Sequence, residues 1–136
     1  MRKLATKISI IIFAVFLVNE TLYAQTALNE ALSLYKGSEN LSFDAARGKT
    51  LWNNSRVDED GKKRTCHTCH TNDLTKIGKH IKTEKEIDPM ALSVNKKRFT
   101  KLKKIKKWFK RNCKWTFGRE CTSQEKGDIL TFLSLQ

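Results

Sequence analysis

The sequence predicts an all-α domain of about four helices joined by long loops. Three observations carry that expectation. Apolar residues recur at three- and four-residue spacing in separate stretches, a capping box opens the last of them, and the polar stretches between show no sustained strand alternation. With 136 residues, one proline and six glycines, the chain can bury one modest core, which a large enclosed cofactor would enlarge.

The elements follow in order. Arg2, Lys3 and Lys7 precede an apolar run from Ile8 to Val18, and Ala24 follows as a cleavage residue, so residues 1–24 read as a signal peptide cut within a residue or two of Ala24. A bilayer needs about 20 apolar residues, and neither this run nor any other reaches that length. The mature chain is then expected to be soluble and exported to the periplasm, without a transmembrane segment. Residues 25–40 read as an N-terminal helical extension and residues 41–136 as the domain that carries the chemistry.

Leu28, Ala31, Leu32 and Tyr35 make the first helix, Thr26 to Lys36, amphipathic, and Gly37 ends it. A second helix is expected from Phe43 to Trp52, N-capped by Ser42, with Gly48 allowing another helix to approach closely. Residues 53–65 and 71–94 read as loops, interrupted by Gly61, Gly78 and Pro89. From Lys96 to Lys114 there are 11 basic residues and no acidic one, yet Phe99, Leu102, Ile105 and Phe109 keep helical spacing. The last helix starts at the capping box Thr122 to Glu125 and buries Ile129, Leu130 and Leu133.

The formal net charge is +13, and losing residues 1–24, with three basic residues and one acidic one, leaves +11. The charge therefore belongs to the mature domain. A basic nucleic-acid-binding module is one reading of such a run. Export and the motif described next argue against nucleic acid. The lysines serve either as a solvated face that maintains solubility or as a patch that steers an acidic redox partner.

The chemistry concentrates at Cys66-His67-Thr68-Cys69-His70. Cys66, Cys69 and His70 form C-x-x-C-H, the spacing of covalent c-type haem attachment: two thiols add to the two vinyl groups on one porphyrin edge, and the next residue reaches the iron axially. Zinc would need a second pair of ligands at close spacing, whereas Cys113 and Cys121 lie eight positions apart. A redox dithiol would need a βαβ setting, which is not expected here. His67 reads as an exposed spacer.

The iron's sixth position has three candidates. Met90 sits in a polar loop beside Pro89, where methionine more often fills space than binds metal. His80 is flanked by basic residues and reads as solvated or bonded to a cofactor carboxylate. Extending the stripe Leu102, Ile105, Phe109 by three residues reaches Asn112, a polar side chain that needs a partner if buried. Asn112 is read equally as an iron ligand or as a helix C-terminal cap. Cys113 and Cys121 are the remaining pair available for a disulfide, and Trp108, Trp115 and Phe117 are expected to be core or haem-wall residues.

The C-x-x-C-H at 66–70, "DLTKIGKHIKT" from Asp73, "NKKRFT" at 95–100, "KKWFKRNC" at 106–113 and "GRECTSQEKGDIL" at 118–130 together resemble the SHP (sphaeroides haem protein) family of small exported monohaem cytochromes that bind oxygen. The resemblance spans roughly residues 40–136. It implies a class I cytochrome c fold around one covalently bound haem c, with Cys66, Cys69 and His70 attaching and ligating it. It further implies Asn112 as a displaceable distal ligand, a Cys113–Cys121 disulfide beside it, and a diatomic ligand (O2, NO or CO). Electrons would come from a dihaem c-type cytochrome and a membrane b-type cytochrome. Small residues or prolines are usual in that family around positions 91–96, where this chain has Ala91-Leu92-Ser93 and Lys96. No side chain stands out as a catalytic acid or base, so the expectation is a ligand-binding electron carrier rather than an enzyme. The alternative is a plain electron-transfer cytochrome with Met90 or His80 fixed on the iron.

Overall fold

The computed structural model of the chain describes residues 25–57 and 60–136; the expected signal peptide, residues 1–24, lies outside the described residues. Helix α1 occupies residues 25–36. It is followed by α2 (Ala45–Asn53), the single turn α3 (His67–His70), α4 (Leu102–Phe117) and α5 (Ser123–Ser134). Two antiparallel strand pairs lie in the stretches expected to be loops, β1 (Arg56–Val57) with β2 (Lys63–Arg64) and β3 (Gly78–Lys79) with β4 (Glu86–Ile87). Each strand is two residues long, too short to leave an alternation in the sequence.

The frame is the crossing of α2 over α5. A Cβ on Gly48 would stand 2.1 Å from the Asp128 carbonyl oxygen, so the two backbones meet at the glycine that the sequence marked for close approach. Asp128, with 2% exposure, ties the crossing together. Its carboxylate accepts from the Asp44 backbone N–H (2.7 Å), Arg47 Nε (2.9 Å), Arg47 Nη2 (2.9 Å) and Gln124 Nε2 (2.9 Å). Asp44, not Ser42, caps α2, accepting the Arg47 N–H at 2.8 Å, so the helix starts two residues later than expected. Ser42 instead offers its carbonyl to Arg47 and Gln124.

Two apolar clusters fill the interior. Ala27, Leu28, Ala31 and Tyr35 from α1 meet Ile105 and Leu130, so α1 is part of the packed core. Trp52, Leu74, Met90 and Ala91 meet Ile129, Phe132 and Leu133 in the second. Phe99 and Phe109 pack against both. Phe99 does so at φ 58, a left-handed backbone that a bulky residue adopts only where its surroundings hold it.

Helix α4 runs to Phe117 and stops at Gly118, whose φ of 68 places it in the left-handed C-cap position with its N–H on the Lys114 carbonyl. Asn112 therefore sits more than a turn before the helix end, and the capping alternative for it falls away. A disulfide between Cys113 and Cys121, with Cα atoms 5.5 Å apart, joins α4 to the start of α5. The capping box forms as read: Thr122 Oγ1 accepts the Glu125 N–H and Glu125 Oε2 accepts the Thr122 N–H.

Candidate haem-attachment site

The motif Cys66 to His70 folds as one helical turn because its start is braced from the side. Thr65 and Thr68 pair hydroxyl to hydroxyl at 2.9 Å, and each hydroxyl also accepts the other residue's backbone N–H. The His70 N–H then reaches the Cys66 carbonyl at 3.2 Å. Such a turn sets Cys66 and Cys69, three residues apart, on one face, with His70 one position on. Thr71 leaves the turn at φ 63. From the other side, β3 presses against it: a Cβ on Gly78 would lie 2.2 Å from the Cys69 carbonyl oxygen.

Burial sets the state of two of these side chains, His70 and Cys66. Burial, with the Arg98 charge adding to it, pushes the His70 imidazole down to about 4, so it is neutral at pH 7 with a lone pair to offer a metal. Burial, with Cys69 beside it, pushes the Cys66 thiol up to about 12. A dithiol poised for exchange needs the opposite, a lowered thiol. Zinc fares no better: among the described residues no three Cys, His, Asp or Glu side chains are grouped so as to hold a metal ion. Cys66 and Cys69 are unbonded thiols, and His70 Nδ1 is buried without a hydrogen-bond partner. Two thiols on one face and a neutral, inward imidazole are the donor set that covalent haem attachment requires.

The other candidate residues lie as follows. Met90 is buried in the cluster with Trp52 and Leu74, and its N–H donates to the Leu74 carbonyl at 3.0 Å. The Trp52 ring packs on the His70 ring, 5.5 Å between centroids. His80 opens the turn between β3 and β4, with its Nδ1 accepting the Lys82 and Thr83 N–H groups, each at 3.2 Å. Its ring stacks on Trp115 at 5.5 Å, and the Arg64 guanidinium lies 4.0 Å from the same indole.

Asn112 is exposed, against the expectation that it continues the inward stripe. The buried line of α4 runs Ile105, Cys113, Thr116, with Phe109 half-buried between, because the disulfide-bonded Cys113 takes the inward position. Asn112 lies about 100° round the helix from it. There it shares a face with Trp108, four residues before, and Trp115, three after. Trp108 is 47% exposed, not a core residue, and carries the Arg111 guanidinium over its ring. His67 is half-buried.

Sequence reasoning missed Trp52 as a neighbour of His70, and Arg98. Arg98 was hidden in the basic run, but its guanidinium is turned inward onto the carbonyls of Asp88 and Pro89. The Thr65/Thr68 brace was legible as hydroxyls three residues apart across the first cysteine.

The family described as a domain of unknown function, DUF1924, matches residues 38–133. Cytochrome c-type protein SHP of Cereibacter sphaeroides is 33% identical over 126 residues, covering 93% of this chain and 97% of that protein. The structure of oxidized SHP, an oxygen-binding cytochrome c, superposes with a TM-score of 0.73 at 34% identity, covering 80% of this chain and 96% of the other. The solution structure of Methylophilus methylotrophus cytochrome c'', a study of haem-ligand detachment, gives 0.68 at 30% identity over 83% of this chain and 93% of the other. The helix crossing, the C-x-x-C-H turn and these likenesses agree: the chain belongs to the DUF1924 and SHP family of monohaem c-type cytochromes, with a class I cytochrome c fold and one covalently bound haem c.

Proposed function

We propose that this protein is an exported, periplasmic electron carrier that binds a diatomic ligand, O2 or NO, at a haem iron held by His70 and released by Asn112. The haem, when bound, supplies a one-electron couple and an axial position open to small ligands. Cys66 and Cys69 would anchor it, and neutral His70 would hold its iron. The likeness to SHP, an oxygen-binding cytochrome c, supports the diatomic ligand.

The observation that carries the reading is the placement of Asn112 on α4 between Trp108 and Trp115, directly before a disulfide-bonded cysteine. That face carries two indoles, each with a guanidinium over its ring, and one neutral oxygen donor between them. A carboxamide oxygen is hard and weak, acceptable to ferric iron and poor for the softer ferrous ion, so Asn112 would hold the iron less firmly in the reduced protein. Its NH2 then remains close by as a hydrogen-bond donor.

Two features weigh against the other candidates. Coordination through His80 Nε2 would place the proton on Nδ1, facing the two backbone N–H groups it now accepts. Met90 is buried in the apolar cluster that includes Trp52, the residue packed on His70. Electrons would arrive from an acidic partner, a dihaem c-type cytochrome fed by a membrane b-type cytochrome, docking on the lysine-rich face.

The test is the absorption spectrum of the ferric and dithionite-reduced protein, with and without carbon monoxide, repeated on Asn112→Ala. The reduced wild type is expected to take up carbon monoxide, and Asn112→Ala to keep its haem while changing its ferric spectrum to a water-bound or open form. An unchanged ferric spectrum in the variant returns the ligand to Met90 or His80.

A further inference from the structure

We propose that Trp52 sets the orientation of the His70 imidazole, holding it by ring packing where a metal-binding histidine ordinarily relies on a hydrogen bond. The inference rests on His70 being the axial ligand proposed above. A histidine that binds metal through one nitrogen usually donates the N–H of the other to a carboxylate or carbonyl, which fixes its plane. His70 Nδ1 is buried and has no such partner among the described residues.

Two carbonyls of the 71–94 loop are engaged elsewhere. The Leu74 carbonyl already accepts the Met90 and Ala91 N–H groups, both at 3.0 Å. The Pro89 carbonyl accepts Asn95 Nδ2 at 3.0 Å and, from Arg98, both Nη2 at 2.9 Å and Nε at 3.2 Å. Each of these oxygens is thus already engaged by at least two donors.

What meets the imidazole is the Trp52 indole, 5.5 Å away between centroids with the planes inclined by 42°. Aromatic rings attract one another in tilted arrangements at roughly 4.5 to 7 Å. The indole is itself fixed. It is 5% exposed, its ring lies 6.2 Å from that of Phe132, and α2 is locked to α5 four residues earlier at Gly48. Trp52 Nε1 is also buried without a partner, so the indole acts on His70 through its ring surface. Trp52 is thus a positioning residue: it restricts rotation of the imidazole about the bond to the metal.

The experiment uses the haem-loaded protein. In its ferrous carbon monoxide form, which is diamagnetic, nuclear Overhauser cross-peaks are expected between the Trp52 indole protons and the His70 ring protons. Their absence overturns the proposal without any variant. In the ferric form, the spread of the haem-methyl NMR shifts reports the plane of the axial imidazole. Trp52→Phe keeps an aromatic wall and should preserve that pattern. Trp52→Met fills the space without a ring and should collapse the spread, with the haem still attached.

A wild-type pattern in Trp52→Met overturns the proposal, and so does an equal change in Trp52→Phe, which would assign the effect to Nε1–H. Absence of the iron–histidine stretching band from the Raman spectrum taken just after photolysis of the ferrous carbon monoxide form, when the iron is five-coordinate, would sink the His70 reading itself; failure of the Trp52 proposal alone leaves that band in place.

Discussion

Asp128 is a carboxylate almost wholly removed from water, and it is tolerated there because every side of it is occupied by a donor. Its partners come from α2, from the residue that caps α2, and from its own helix, so one side chain joins the two helices that frame the haem site. Asp128→Ala would strand the Asp44 N–H and leave Arg47 without its acid. Arg47 is half exposed and regains water, which softens the loss. The expected destabilisation is about 2–3 kcal/mol, read as a lower urea midpoint of the haem-loaded protein. A midpoint equal to wild type would show that the donors find other acceptors. The same residue explains a misreading of the sequence. Ser42 and Asp44 are both good N-caps, and the choice is made by Asp128, 84 positions after Asp44, which takes the Asp44 N–H. Asn112 failed as an inward residue for a comparable reason. Continuing a helical stripe by three or by four residues is equally regular, and only the Cys113–Cys121 bond decides that the fourth faces in.

At the scale of elements, the legible features were those whose cause is local. The C-x-x-C-H turn, the capping box of α5 and the glycine that ends α1 each involve residues within four positions of one another. The packing of Trp52 on His70 was not legible, because β1, β2 and an intervening loop separate the two and no pattern in the sequence brings them together. The α2–α5 crossing sits between these cases: Gly48 announced a close approach but not the partner. Gly48→Ala should be among the most damaging single methyl additions, since the new carbon meets the Asp128 backbone carbonyl at 2.1 Å and no side chain can swing aside. A loss of about 3 kcal/mol or more, seen as a lowered Tm, is expected, and an unchanged Tm would mean that the helices slide apart freely. The start of α5 has its own pH dependence. Arg119, bonded to Glu125 through both terminal nitrogens at 2.8 and 2.7 Å, holds the Glu125 carboxyl below the usual range, and the Thr122 N–H adds to this. A lowered folded value means stability that is full above the unfolded value of about 4.3 and lost as pH falls through the folded one. Glu125→Gln should therefore be less stable than wild type near neutrality and flatter with pH below about pH 4. Thermal midpoints between neutral and acid pH decide it, and parallel curves for the two proteins would exclude Glu125 as a source of the acid sensitivity.

Across the whole molecule, charge is arranged as deliberately as the apolar core. The 11 basic residues from Lys96 to Lys114 fall mostly on α4, where Lys103, Lys104, Lys106, Lys107, Lys110, Arg111 and Lys114 are all exposed. Arg98 alone turns inward, to the loop behind His70. The helix that carries Asn112 is thus also densely positive on its exposed side. Under the proposed function, an approaching acidic protein would be drawn to the face that carries Asn112. Solubility alone would be served by lysines spread evenly; steering needs them gathered, and gathered charge is sensitive to salt. At 0.1 M ionic strength the screening length is about 10 Å, so attraction beyond one helix diameter is strongly damped. Stopped-flow reduction by an acidic donor cytochrome should accordingly slow as salt is raised. Replacing Lys103, Lys107 and Lys110 together with glutamine should lower the low-salt rate and flatten its salt dependence, while leaving reduction by a neutral small-molecule donor unchanged. The two arms separate the readings. A rate that is flat in salt for the wild type would leave the lysines with solubility as their role. A triple variant slowed equally with both donors would instead place the fault in the haem site itself.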